Sequence, residues 1–142
     1  MLTYAFSHYG FFSYRNFFLI HLVFNMIIMA SFGKNIINSH GSKAFWLLYL
    51  GGAISGGLCM QMFRPNNSIV IPEVGAGPAV TSLLTFYGLS NLHQTIFFFA
   101  IPIKMWVILA FIGISALTEP SKKDFGGLLT GLLVYQLFKI RM

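Results

Sequence analysis

Two long runs without a formal charge constrain this chain more than anything else. FFLIHLVFNMIIMASF at 17–32 and AFWLLYLGGAISGGLCMQMF at 44–63 contain no Asp, Glu, Lys or Arg. A helix needs about 20 predominantly apolar residues to cross a hydrocarbon core of about 30 Å, and these runs approach or meet that length. Three further apolar runs follow at 77–89, 105–117 and 125–140. Only 8% of the 142 residues are charged and 56% are hydrophobic, with a mean hydropathy of +0.75. That is too little polar surface to coat a soluble globule. The reading is an all-α membrane protein: one domain over 1–142, an interfacial segment at 1–16, and about five transmembrane helices at the five runs.

Composition also excludes several functions. The single cysteine, Cys59, rules out an internal disulfide and a cysteine metal cluster. His40 and His93 fall in separate predicted loops without companion acids, so neither a metal site nor a cofactor is expected. Nine Lys and Arg stand against three Asp and Glu. In a chain this apolar, such an excess points to loops facing lipid headgroups rather than to nucleic acid. The opening MLTYAFSHYGFF has neither the cationic head and cleavage site of a signal peptide nor the Arg- and Ser-rich character of a transit peptide. Either the chain is already processed or its insertion needs no cleavable signal. Alternating the loops puts Lys34, Lys43, Lys104, Lys139 and Arg141 on one face with no acid. Arg15, Arg64, Lys122 and Lys123 share the other face with Glu73, Glu119 and Asp124. Five cations against four bias orientation weakly.

Local signals set the expected boundaries. Gly33-Lys34-Asn35 predicts the end of the first span, since glycine and a cation suit a helix C-terminus. His21 and Asn25 sit at i and i+4, on one face. Trp46 and Tyr49 are placed as interface anchors, and Gly52 and Gly56 form a small-xxx-small pair that predicts close packing on a neighbour. Pro65, Asn66, Asn67 and Pro72 mark 64–75 as a loop. Gly77-Pro78 opens the third span, because proline is tolerated in a first turn. Pro102 and Lys104 break the next apolar stretch, which predicts a lipid-level loop around 97–103 before the fourth span. A turn at 119–124 precedes the fifth.

These features, in this order, resemble the rhomboid proteases, in particular the mitochondrial presenilin-associated type. TYAFSH followed by HLVFNM carries an H-x-x-x-N motif at His21 and Asn25. FWLLYLGGAISGGL, IPIKMWVIL and FGGLLTGLL, the last with Gly127 and Gly131, resemble later helices of that family, and VGAGPAV lies between them. The resemblance implies a rhomboid-like helical bundle. It also implies a family mechanism in which a serine in a G-x-S-G helix and a histidine on the last helix cleave transmembrane substrates.

At the serine position stands Gly77, followed by Pro78 where the family has glycine, and at the histidine position stands Asp124. Gly77 has no side chain to attack a carbonyl. A carboxylate with an ordinary pKa near 3.9 is a poor general base for a hydroxyl at neutral pH. Losing the nucleophile costs on the order of 10⁶ in rate in an unrelated serine hydrolase. An inactive pseudoprotease, not an enzyme, is expected. His21 and Asn25 keep the family's oxyanion pattern and are expected to hydrogen-bond between helices. Thr81, one turn beyond Gly77, is the alternative nucleophile, with His21 as its partner. The resemblance includes a helix before TYAFSH that is expected to be missing here, which would leave apolar surface for a neighbour, and the spacing from His8 to His21 exceeds the family's.

The missing catalytic groups, the missing helix and the near absence of soluble mass lead to the expectation of a structural subunit of a mitochondrial inner-membrane complex, a respiratory complex or ATP synthase. Its partners would be other membrane subunits and lipids. The alternatives are a client-binding pseudoprotease in quality control or import, and a residual intramembrane serine-type protease. A channel is disfavoured, because few charges lie within the spans.

Overall fold

A computed structural model describes residues 15–63, 76–98, 100–118 and 122–141. They form helices α1 (Arg15–His40), α2 (Ser42–Met62), α3 (Gly77–Ser90), α4 (Met105–Thr118) and α5 (Lys123–Arg141). A hairpin of β1 (Thr95–Phe98) and β2 (Ile101–Lys104) separates α3 from α4.

The first helix does not stop at Gly33. It continues to His40, so Lys34 and Asn35 are helical and His40 closes α1 rather than lying in a loop. Gly33 is a packing notch: a Cβ there would stand 2.7 Å from Phe45 Cε2. The stop comes at Gly41, with φ at 86° and its N–H bonded to Ile37 O at 2.9 Å. That left-handed turn costs glycine little and any L side chain much more. One residue thus joins α1 to α2 and folds them back antiparallel.

The expected loop around 97–103 is also corrected. Thr95 pairs with Lys104, Ile96 with Ile103, Phe97 with Pro102 and Phe98 with Ile101, all antiparallel. β-Branched and aromatic residues favour such a pleated surface, and an edge strand tolerates Pro102, which has no N–H to donate. The Met105 N–H bonds Gln94 O at 3.0 Å and closes the base.

Helix α3 is the centre of the bundle. Every residue from Pro78 to Gly88 is buried. Gly52 on α2 and Gly127 on α5 let both neighbours approach the Pro78 carbonyl, where a Cβ on Gly52 would come within 2.7 Å. This is the close approach that the Gly52/Gly56 pair predicted, with α3 and α5 as the neighbours. On the other side Phe32 of α1 meets Tyr87 edge-on at 4.9 Å, and His40 lies between Phe86 and Phe138 at 5.0 and 5.7 Å. The C-terminal ends of α1, α3 and α5 therefore gather at one end of the bundle.

Among the described residues, Leu19–His40 and Ser42–Met62 are long and apolar enough to cross a membrane, with mean hydropathies of 1.5 and 1.2. Met105–Thr118 is a shorter apolar helix. Ile20, Val23, Phe111 and Leu133 are among the large apolar side chains that face outward. Such a surface suits lipid or another protein.

Candidate functional site

The N-terminal turn of α3 is wedged between α2 and α5 at Pro78, and this fixes the direction in which position 77 points. A Cβ built on Gly77 lies 3.3 Å from Asp124 Oδ1. That oxygen is buried, and Asp124 lies in the first turn of α5. The positive end of the α5 dipole favours a carboxylate there. Gly77 and Asp124 are 47 positions apart along the chain, and they face one another across the α3–α5 contact.

 

His21 and Asn25 lie on α1, where the Asn25 side-chain amide donates to His21 Nε2 at 3.2 Å. This bond runs along a single helix, between residues one turn apart. Asn25 is buried and His21 is exposed. α1 runs parallel to α3, so Asn25, seven residues before Phe32, lies about 10 Å nearer the Gly77 end by helical rise. Thr81 is buried, and its carbonyl accepts the Thr85 hydroxyl at 2.8 Å. His8, Glu73 and Glu119 lie outside the described residues, as do the loop at 64–75 and most of the segment at 1–16.

Hydroxyl groups that the sequence reading passed over tie the same helices together. Ser55 donates to Gly126 O at 2.8 Å and lies 2.7 Å from Thr130 Oγ1. The fully buried Ser82 reaches Leu48 O at 2.5 Å. The signal was present in ISGG and FGGLLT, where a hydroxyl stands beside a small-residue stripe. Such hydroxyls bridge helices where backbones approach closely.

A buried, glycine-packed helical core with two membrane-length helices defines a helical membrane protein. The family model for the Rhomboid domain matches residues 1–140, and the chain belongs to the rhomboid family. It is 31% identical over 111 residues to Rhomboid protein 1, mitochondrial, of Saccharomyces cerevisiae, covering 76% of this chain and 30% of that protein. It is 27% identical over 84 residues to Presenilin-associated rhomboid-like protein A, mitochondrial, of Danio rerio, covering 59% of this chain and 20% of that protein. The chain thus spans less than a third of the length of these relatives. No solved structure matches it.

Proposed function

We propose that this chain is a catalytically inactive rhomboid that crosses a mitochondrial inner membrane about five times and serves as a structural subunit of a multiprotein complex, such as a respiratory complex or ATP synthase. The observation that carries this reading is the pair Gly77 and Asp124. The two positions meet as a nucleophile and its base would, with 3.3 Å from a Cβ on Gly77 to Asp124 Oδ1, and neither residue supplies its half of the chemistry. A catalytic constellation needs all its members in place. The printed names of both relatives support the mitochondrial setting. Outward apolar side chains on α1, α4 and α5 support a surface covered by lipid and neighbouring subunits.

A second reading, a client-binding pseudoprotease, draws on an apolar groove along α1 lined by Leu19, Ile20, Val23, Phe24 and Ile27. Native electrophoresis of gently solubilised membranes, with mass spectrometry locating the chain, separates the two. Quantitative comigration with one large complex supports the subunit. Migration as a small free species contradicts it and leaves client binding.

A further inference from the structure

The chain has two tryptophans, and the structure brings both to one end of the bundle. Trp46 lies in the first turns of α2 and Trp106 at the start of α4, and both are about half exposed, at 54% and 52%. This is the end where His40 meets Phe86 and Phe138, so it holds the C-terminal turns of α1, α3 and α5. It also holds the base of the hairpin, because Tyr87 donates to Gln94 Oε1 at 2.8 Å. Lys34, Lys43, Lys104 and Lys139 are all exposed there. Among the described residues the one acid, Asp124, lies at the opposite end, beside Gly77.

The hairpin adds an apolar element to this cationic end. Side chains alternate across a strand, so Thr95, Phe97, Pro102 and Lys104 share its outer face, while Ile96 packs against the core. Phe97 is 77% exposed and Ile101 61% exposed. Phe97 stands two residues beyond the rung of Lys104, about 7 Å along the strand. That distance is comparable in size to the depth of about 5–10 Å at which an interfacial element buries its apolar side.

We propose that this end is a docking face for anionic phospholipid, with Lys34, Lys43, Lys104 and Lys139 on headgroup phosphates and the Phe97 hairpin seated at the acyl boundary. Charge complementarity selects anionic over zwitterionic lipid. Indole rings of Trp46 and Trp106 anchor the same plane, as aromatic residues do at membrane interfaces.

Both tryptophans report directly on the lipid beside them. The purified chain is reconstituted in phosphatidylcholine containing equal mole fractions of either brominated phosphatidylglycerol or brominated phosphatidylcholine, and tryptophan quenching is compared. With about 1 kcal/mol per cation near an anionic surface, the expected preference for the anionic lipid is about fivefold. It falls toward unity in Lys43→Gln/Lys104→Gln and in 1 M salt, where the Debye length is about 3 Å. Equal quenching by the two lipids in the unaltered chain overturns the proposal. For the hairpin, Phe97→Trp in a Trp46→Phe/Trp106→Phe background is quenched by chain-brominated lipid and shielded from aqueous iodide. The reverse pattern contradicts the seating of the hairpin.

Discussion

Adding one methyl group at either of two glycines beside Pro78 should have unequal consequences. At Gly127 a new Cβ would overlap the Pro78 carbonyl oxygen and lie 2.9 Å from its carbon and 3.0 Å from Pro78 Cα. These are backbone atoms of the central helix and cannot rotate away. Overpacking costs about 1–3 kcal/mol, and such rigid neighbours place this site at the upper end. Replacing a helical glycine by alanine returns about 1 kcal/mol, which leaves Gly127→Ala destabilised by about 2 kcal/mol. At Gly77 the nearest atom is Asp124 Oδ1 at 3.3 Å, on a side chain that can shift. Gly77→Ala is therefore expected near parity, its gain of about 0.4–1 kcal/mol offsetting the tight contact. A difference of about 2 kcal/mol is roughly 30-fold in the folded-to-unfolded ratio. Thermal denaturation in mild detergent, followed by fluorescence-detected size exclusion, compares both variants with the parent. Gly127→Ala melting with the parent, or Gly77→Ala falling equally far, would refute the packing argument.

Ser55→Ala and Thr130→Val each remove one partner of the hydroxyl pair between α2 and α5. A double-mutant cycle read by unfolding in detergent should give a coupling of about 0.6 kcal/mol, the usual size for such bonds in membrane helices. Gly41→Ala puts a Cβ on a residue held at φ 86° and ψ 166°, a region essentially reserved for glycine, and should cost about 1–3 kcal/mol, seen as a lower melting temperature.

Much of the helical framework was legible because apolar runs and their punctuation are local signals. Gly77-Pro78 opens α3 as the first-turn proline implied, and the Gly52/Gly56 stripe marks a real helix contact. Gly33 misled because glycine serves both as a helix stop and as a packing notch, and only Phe45, brought in by the fold, decides between them. The hairpin was missed because TIFFF and IPIK are short apolar runs whose pairing depends on a partner strand. At the candidate site, motif order singled out Gly77 and Asp124, but their mutual approach depends on how α3 and α5 pack. The Ser55–Thr130 bond joins residues 75 positions apart, beyond the reach of any local pattern.

The central claim is that Gly77 and Asp124 keep the place of a catalytic pair without its chemistry. The detergent-solubilised chain is incubated with a fluorophosphonate probe beside a catalytically competent rhomboid at equal concentration. The account predicts labelling of the competent enzyme and none of this chain. Labelling of this chain that disappears in Thr81→Ala would contradict it and establish Thr81 as a working nucleophile.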